Sequence, residues 1–567
     1  MKNIFSKVSL LVLFSCLLTS NVSFHNEEFV KPVKQVLNAK KDKSNELVIY
    51  NCADYIDESL IEEFENEYNC KVHYYTYDTN ETMYNQFTLQ PLGTYDLICT
   101  SDYMIQKMVR EGYVEPLDIA TEVPNYDEYA ATEVRNKLKS MKADVDHDGV
   151  KEASLDNYAA GYMWGTLGII YDANCSDTIR EDVKSWDVFW DSNYKNLISI
   201  KNSMRDTFVV GLMHAYKNLA HKEDLTDNEV KFLEAVERAK TDDLTQTIQN
   251  VFDLVINEED YAPIIDVVKN EIISLKQNIF GFEVDSGKND IITGKIKMNL
   301  AWSGDAVYSI DQAIDYRSSG EYNTELEYYV PEEGGNVWYD GWFLPKESNR
   351  RLATAFIDFL SRPENAARNM DYIGYTSFIS GADVFDQVVY KYGVPEYDEE
   401  ATYFGPYFDE DSEEMVDGSI VSYNGKYYLC IAEDSEDSIT GILPTDTSVW
   451  REYTDELELE DSYDLGYIFG DYMEGRTTSF YPYSERMNQL LTQYPDAETL
   501  KRCAVMNDFE TVNEKVVIMW GQIRAYTSMT VYYVILATFA GAVLVFLVIK
   551  IIVNYNSVRS RRKRANK

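Results

Sequence analysis

The stretch Tyr329-Val-Pro-Glu-Glu-Gly-Gly-Asn-Val-Trp-Tyr-Asp-Gly-Trp-Phe-Leu-Pro345 organises the rest of the chain. Within it, Trp338 and Asp340 lie two positions apart, so in an extended backbone their side chains project to the same side. An aromatic face beside a carboxylate suits an organic cation, because the ring attracts the body of the cation and the carboxylate attracts its ammonium. The alternative is that the tryptophans are core residues and Asp340 caps a turn.

The composition indicates an acidic protein with several domains. The chain has 567 residues, enough for three or four domains at about 150 residues each. Its net charge of −44 argues against nucleic acid as a partner and fits a soluble, exported surface that weakly concentrates cations. Solubility alone also explains this charge.

The N-terminus predicts export. Residues 1–23 begin with basic residues and continue with a short apolar run, as a signal sequence or N-terminal anchor does. Cys16 follows a sequence that loosely resembles a lipoprotein box, so lipidation there, cleavage elsewhere and an uncleaved anchor all stay open. Residues 24–46 are polar and rich in lysine, which predicts a tether.

The C-terminus predicts a transmembrane helix at 526–553 and a basic tail at 554–567. The sequence from Ala525 to Ile549 carries no charge and is long enough to span about 30 Å of hydrocarbon. Because basic residues favour the inner side, the tail is expected in the cytoplasm. The prediction is therefore a protein of the cell membrane whose main domain lies on the extracytoplasmic side.

Strands and helices alternate after the tether, which predicts an α/β sheet with right-handed crossovers. The predicted strands are 46–51, 71–77 and 95–99, and the predicted helices are 57–68, 80–90 and 102–111. Ligands gather at the carboxyl ends of the strands in such sheets. Residues 51–55 and 100–103 are therefore expected on one rim.

Several motifs in the same order resemble the spermidine/putrescine-binding proteins of bacterial ABC importers. They are Tyr50-Asn-Cys-Ala-Asp-Tyr55, Tyr95-Asp-Leu-Ile-Cys-Thr-Ser-Asp-Tyr103, Tyr162-Met-Trp-Gly165, Ile200-Lys-Asn-Ser-Met-Arg-Asp206, Ala301-Trp-Ser-Gly-Asp-Ala306, Ile373-Gly-Tyr375 and Tyr494-Pro-Asp-Ala-Glu-Thr499, together with the opening stretch. The resemblance covers about residues 47–378 and 476–510.

The resemblance implies a two-lobed α/β fold of the periplasmic-binding-protein-like (type II) class, with lobes that close by hinge motion at crossover segments. It also implies permease and ATPase subunits as partners and a polyamine as ligand. The domain boundaries that follow are the first part of lobe 1 at 47–165, lobe 2 at 166–338, a return to lobe 1 at 339–395, an insertion at 396–475 and a C-terminal part of the binding domain at 476–525.

The resemblance also implies a binding site. A polyamine needs separated carboxylates for its ammoniums and aromatic walls for its methylenes, because an unpaired buried charge costs several kcal/mol. Asp340 is expected to bind one ammonium and Asp206 to lie toward the other end. The other expected site residues are Trp302 and Trp338 as the walls, Tyr55, Ser101, Tyr103 and Tyr375 along the cleft, and Asp305, which matches an acid of putrescine-binding members.

Three positions of the expected site depart from the family, and one of these departures, together with Asp305, favours putrescine over spermidine. Cys52 replaces an aromatic wall, Ser203 replaces a second distal acid and Val284 replaces a polar contact. Losing an acid while gaining Asp305 favours a shorter diamine, and another small cation is the remaining choice of ligand. For the two distal acids other roles stay open: Asp206 pairs with Arg205 or caps a helix, and Asp305 caps a helix.

The insertion predicts a small β module at about 415–453 that resembles chitin- or cellulose-binding modules. Asn424-Gly425 between alternating apolar residues is a strong hairpin signal. Its rings, Tyr423, Tyr427, Tyr428 and Trp450, either stack on cell-wall glycan or form the core of the module. The core role is favoured because so small a domain needs its aromatic residues for stability.

No enzymatic activity and no cofactor are expected, since the sequence has no HExxH, GxSxG or P-loop motif and only five histidines. Asp144-Val-Asp-His-Asp-Gly149 resembles the first half of a calcium loop, but Leu155 stands where an acid is expected. An acidic turn without a metal is therefore favoured. The main alternative function is a surface glycan-binding or adhesion protein that acts through the inserted module.

Overall fold

The computed structural model describes residues 45–257, 259–399, 401–409, 414–416, 418–432, 439–454, 457–473, 475–526 and 529–565. The predicted signal sequence at 1–23, the lipidation site Cys16 and most of the tether at 24–46 lie outside these residues. The chain divides into a large unit, Lys40–Trp520, and a second unit that includes Gly521–Lys567.

The strands of the large unit are β1 (Glu46–Cys52), β2 (Lys71–Tyr77), β3 (Leu97–Ser101), β4 (Lys142–Ala143), β5 (Ala153–Ser154), β6 (Ala159–Asp172), β7 (Ile198–Lys201), β8 (Gly281–Glu283), β9 (Met298–Trp302), β10 (Leu326–Tyr329), β11 (Gly335–Phe343), β12 (Thr376–Ser377), β13 (Gly393–Pro395), β14 (Thr402–Tyr403), β15 (Tyr407–Asp409), β16 (Glu414–Val416), β17 (Ile420–Tyr423), β18 (Lys426–Cys430), β19 (Ile439–Thr440), β20 (Trp450–Tyr453), β21 (Tyr463–Asp464), β22 (Ser479–Pro482) and β23 (Cys503–Ala504).

The helices are α1 (Glu58–Tyr68), α2 (Asn80–Thr88), α3 (Asp102–Arg110), α4 (Ile119–Glu122), α5 (Pro124–Tyr129), α6 (Thr132–Ser140), α7 (Ile179–Asp182), α8 (Met204–Asn218), α9 (Asp227–Ala239), α10 (Leu244–Asp253), α11 (Tyr261–Leu275), α12 (Ser286–Ile292), α13 (Ser303–Ser319), α14 (Arg350–Leu360), α15 (Pro363–Ile373), α16 (Ala382–Tyr392), α17 (Gly466–Phe469), α18 (Met487–Gln493), α19 (Ala497–Lys501), α20 (Asn513–Ala525) and α21 (Met529–Ala565).

The main sheet has eleven strands and is mixed. Its order is β2-β1-β3-β11-β6-β9-β7-β8, with β10 and β12 pairing with β6 and β23 pairing with β11. Strands β1, β2 and β3 are parallel, and β11 runs antiparallel to both β3 and β6. The predicted α/β class is therefore confirmed.

Strand β6 joins the two halves of this sheet. Its residues 159–166 pair with β11, and its residues 167–171 pair with β9. All fourteen residues of β6 are buried, as expected of a strand covered on both faces.

The predicted first elements are confirmed within two residues. Helix α1 begins after Asp57, whose carboxylate accepts the backbone N–H of Ser59 and so satisfies a free donor of the first turn. Helix α3 ends before Gly112, which adopts φ 74°. Strand β3 starts at Leu97 rather than Tyr95, because the carboxylate of Asp96 accepts the N–H of Val48 at 2.9 Å.

The insertion leaves and rejoins the large unit through neighbouring strands. Strand β13 pairs with β22, with Val394 opposite Tyr481. The predicted hairpin is confirmed: β17 and β18 are antiparallel, and Asn424 and Gly425 have φ 53° and 74°, as in a type I′ turn. The packed core of the module also includes Ala401 and Tyr403, which precede the predicted span 415–453.

Helix α21 belongs to the second unit and has 37 residues, so it is about 55 Å long. Its segment Leu536–Val553 has a mean hydropathy of 2.7 and is exposed along its length. Among the described residues this is the single helix long and apolar enough to cross a membrane. The helix continues through most of the predicted tail at 554–567.

Candidate ligand-binding cleft

One cavity of about 130 Å³ lies where the two halves of the sheet meet. All nine site residues predicted from the sequence line it, although their part in binding stays a prediction. They are Tyr55, Ser101, Tyr103, Asp206, Trp302, Asp305, Trp338, Asp340 and Tyr375.

The register of β11 brings Asp340 into the cavity. Asp340 pairs with Ser101, the last residue of β3, so both side chains lie at the same rim. The pairing of β11 with β6 shifts register between Tyr339 and Gly341. Irregularities of this kind re-aim a side chain next to a functional site.

Asp340 is a carboxylate with one hydroxyl partner. Its Oδ2 accepts a hydrogen bond from the Tyr55 hydroxyl at 2.7 Å, whereas Oδ1 is shielded from solvent and has no hydrogen-bond partner among the described residues. Burial raises the pKa of Asp340 to about 6, and the charge of Asp206 adds to this rise. The nearby hydroxyls of Tyr55 and Ser101 oppose it.

Asp206 is a second carboxylate of the cavity whose pKa is raised by burial. It lies in the first turn of α8, where Ser203 is the N-cap and its hydroxyl accepts the N–H of Asp206 at 3.3 Å. Burial raises the pKa of Asp206, and Ser203, Trp302 and the charge of Lys201 oppose the rise. Among the described residues of the cavity, the ion pairs all involve Asp305 or Glu283, so Asp206 is not paired with Arg205.

Aromatic rings connect the two ends of the cleft. The Tyr375 ring lies 4.9 Å from that of Tyr55 and 5.7 Å from that of Trp338. Two glycines make room for this packing. A Cβ at Gly304 would lie 2.2 Å from the Tyr375 ring, and one at Gly165 would lie 2.7 Å from Trp338. The glycine of the Trp-Ser-Gly-Asp motif is thus required by the close approach of a ring.

Asp305, at the start of α13, is already paired within the protein. Its Oδ2 lies 2.9 Å from the ammonium of Lys201, and its Oδ1 accepts the Tyr375 hydroxyl at 2.8 Å. Lys288 lies 3.7 Å from the same carboxylate. Burial alone would raise the pKa of Asp305, but the two lysines lower it below its ordinary value. Asp305 is therefore a charged carboxylate held by cations of the chain.

Tyr103 also has a partner that the sequence did not predict. The guanidinium of Arg205 stacks over its ring at 3.7 Å and over Phe509 at 4.1 Å. The Tyr103 hydroxyl donates to Glu81 at 2.9 Å. Tyr103 therefore holds an arginine against one wall of the cleft.

Lys201, Arg205, Glu283 and Lys288 line the cavity and were missed as site residues. A sequence signal exists for Lys201, because it ends the apolar strand Ile198–Lys201 at the rim where ligands gather. Its partner Asp305 is 104 positions away, and no local pattern reveals that pairing.

Three further features of the sequence have the following places in the structure. Asp144, Asp146, Asp148 and Glu152 bring their carboxylate oxygens within 4.8 Å of one another on an exposed loop. Cys52 and Cys99 line the cavity on neighbouring strands, and both are free thiols. Trp450 is buried in the core of the module and donates to the carbonyl of Ile442, as the core role predicts.

The arrangement suits the binding of a cationic solute. Asp206 is buried and Asp340 partly buried, neither carboxylate has an ion-pair partner in the part of the chain that the structure describes, and aromatic rings line the same cavity. Exposed Asp54, Asp78 and Asp285 surround the mouth, where acids raise the local concentration of cations.

Comparison with known proteins gives the family. The model of the bacterial extracellular solute-binding proteins matches residues 59–391, more than half of the chain. The spermidine/putrescine-binding periplasmic protein of Escherichia coli (strain K12) is 26% identical over 340 residues, which cover 59% of this chain and 78% of that protein. The putrescine-binding periplasmic protein SpuD of Pseudomonas aeruginosa (strain UCBPP-PA14) is 26% identical over 334 residues, or 58% of this chain and 77% of that protein.

A solved structure from Listeria monocytogenes, named for a spermidine/putrescine ABC transporter, has a similar fold. The TM-score is 0.51 at 21% identity, and the match covers 85% of this chain and all of that one. The relatives are named as binding proteins, which agrees with the prediction that this chain is not an enzyme. The chain belongs to the bacterial extracellular solute-binding proteins.

Proposed function

We propose that this chain is the polyamine-binding component of an ABC importer and that it prefers putrescine to spermidine. The observation that carries the proposal is the pair of carboxylates, Asp340 and Asp206, that have no ion-pair partner among the described residues of the cleft. The names of the relatives support the ligand class, since they include spermidine/putrescine- and putrescine-binding proteins.

The physical argument rests on the cost of buried charge. A carboxylate shielded from water is unfavourable without a partner, and the raised pKa of Asp340 reflects that cost. An ammonium within hydrogen-bond distance removes the penalty and gains a charge-assisted hydrogen bond. The rings of Tyr55, Trp338 and Tyr375 provide apolar walls for the methylenes between the two ammoniums.

Thermal unfolding of the full-length chain in detergent tests this function. We expect putrescine at millimolar concentration to raise the melting temperature, because a ligand that binds only the folded state stabilises it. Asp340→Ala is expected to abolish the shift. Asp266→Ala is the matched control, because Asp266 pairs with Lys269 outside the cleft and is not part of the cavity. A wild-type chain that neither putrescine nor spermidine stabilises would refute the proposal.

The same proposal includes an anchor at the C-terminus. The exposed apolar segment Leu536–Val553 crosses the membrane, and the basic residues after it remain on the cytoplasmic side. An anchored receptor stays near its permease and ATPase, which raises their effective concentration. Protease treatment of intact cells is expected to digest the binding domain and to spare an epitope placed after residue 567. Protection of the binding domain would exclude this orientation.

A further inference from the structure

A lysine of the chain lies inside the cleft, between Asp305 and the ring of Trp302. The Lys201 ammonium lies 2.9 Å from Asp305 Oδ2, donates to the carbonyl of Val284 at 2.9 Å and lies 3.4 Å from Glu283. The same ammonium stands over the Trp302 ring, 4.4 Å from its centroid. Carboxylate, carbonyl and indole face are the contacts that a primary ammonium of a polyamine requires.

Lys201 is fixed in this place. Its side chain is 1% exposed and lies at the end of β7, and its own carbonyl accepts the hydroxyl of Thr207 at 2.8 Å. Although burial alone would lower the pKa of Lys201, Asp305 and Glu283 raise it above the ordinary value. The ammonium is therefore charged across the physiological pH range.

We propose that Lys201 determines the length of the ligand: its ammonium fills the far subsite, so that a diamine spans Asp340 and Asp206 and a triamine is excluded. This inference rests on the proposed function and names the residue that selects among polyamines. Putrescine carries two ammoniums and spermidine carries three.

Charge pairing explains the exclusion. Asp340 and Asp206 supply one anion for each ammonium of a diamine. A third ammonium beside Trp302 would need Asp305, which already pairs with Lys201 and Lys288 and accepts the Tyr375 hydroxyl. Displacing Lys201 would leave a buried ammonium without a partner, and placing both cations together would bring like charges into contact.

Calorimetric titration of the full-length chain in detergent with putrescine and spermidine tests the inference. In Lys201→Met, Asp305 Oδ2 loses its ammonium partner and becomes available to a third ammonium, while Lys288 stays 3.7 Å from Oδ1. We therefore expect the ratio of the spermidine Kd to the putrescine Kd to fall at least about tenfold. The matched control is Lys297→Met, because Lys297 pairs with Asp172 at 2.8 Å outside the cavity. The control is expected to leave the ratio unchanged.

A crystal structure of the wild-type chain with putrescine gives a second readout that does not depend on a variant. Ligand nitrogens on Asp340 and Asp206, with Lys201 still on Asp305, support the inference. A ligand nitrogen on Asp305 with Lys201 displaced overturns it, as does an unchanged Kd ratio in Lys201→Met or a wild-type chain that binds spermidine as tightly as putrescine. If the wild-type chain binds neither amine, the proposed function itself fails and the inference falls with it.

Discussion

Asp340 and Asp305 are aspartates in the same cavity, and their neighbours differ. Asp340 has the Tyr55 hydroxyl and an oxygen without a partner among the described residues, and burial raises its pKa to about 6. Asp305 has two lysines and the Tyr375 hydroxyl, and its pKa is lowered. The Asp340 carboxylate therefore requires a cation from the ligand, whereas the Asp305 carboxylate is already paired with lysines of the chain.

The difference shows that an acidic residue within a family motif does not by itself identify a ligand contact. Both aspartates fit the family pattern in the sequence, and both line the cavity. What separates them is the supply of positive charge to Asp305 from Lys201 of β7, 104 positions away in sequence, and from Lys288 of α12. Charge balance within the cleft, rather than residue type, assigns the roles.

The largest expected effect contrasts the stability of two matched substitutions. Asp305→Asn leaves the buried Lys201 ammonium with a weaker set of partners, and breaking a buried pair costs about 3–5 kcal/mol of unfolding free energy. Asp340→Asn removes a desolvated charge and is expected to raise the unfolding free energy by about 1–2 kcal/mol. Urea unfolding of the full-length chain in detergent at pH 8, followed by tryptophan fluorescence, measures both.

Asp266→Asn is the control for this pair, because the Asp266–Lys269 pair is partly exposed near the surface and such pairs contribute only about 0–1 kcal/mol. If Asp305→Asn and Asp340→Asn shifted stability in the same direction and by the same amount, the two ends of the cleft would not differ as described.

A smaller effect is expected from pH. Putrescine binds the ionised carboxylates, so its affinity should fall as pH drops through about 6, where Asp340 takes up a proton. Uptake of one proton weakens binding about tenfold per pH unit. Calorimetry from pH 8 to pH 4.5 measures this change, and a flat profile down to pH 5 would contradict the raised pKa of Asp340.

Without ligand, the stability of the fold changes with pH in the direction opposite to that of the putrescine affinity. Asp102 is a buried carboxylate in the lining of the cavity, and its oxygens accept the backbone N–H groups of Tyr103 and Tyr339. The folded-state pKa values of Asp102 and Asp340 lie above those of an unfolded chain, which are about 4. The folded state therefore binds more protons between about pH 4 and pH 7, and these two carboxyls lower the unfolding free energy as pH rises through that window.

The smallest effect concerns the link between the two ends. Tyr375 donates to Asp305 and packs on Tyr55, which donates to Asp340. Gly304→Ala places a methyl group against the Tyr375 ring, which we expect to lower stability by about 1 kcal/mol and to weaken putrescine about threefold. Gly281→Ala is the control, since no atom lies within 4 Å of its added Cβ. Equal effects of the two variants, measured by melting and calorimetry, would remove Tyr375 as the link.

The sequence predicted the elements near the start of the domain because their signals are local. Apolar periodicity marks β1, α1 and β2, and a capping aspartate or a terminal glycine sets the helix ends. Asp340 and Trp338 were assigned to one site because their spacing in an extended strand is fixed by backbone geometry.

The pairing of the Lys201 ammonium with Asp305 could not be predicted in the same way. Lys201 meets Asp305 only because β7 pairs beside β9 and α13 begins at the end of β9. That arrangement depends on strand order, which local patterns do not specify. For the same reason the core of the inserted module reaches back to Ala401 and Tyr403, outside the segment that the hairpin signal marked.

The paired strands β13 and β22 have a consequence for how this receptor can change. They hold the two ends of residues 396–478 on adjacent strands, and Cα atoms opposite each other in such a pair are about 5 Å apart. The host domain therefore fixes the exit and the re-entry of the chain, and the closure entropy of whatever lies between grows only slowly with its length. The position is a natural attachment point at which one module can be exchanged for another, provided that Leu465, Ile468, Phe469 and Met473, which pack in the core of the host domain, are kept.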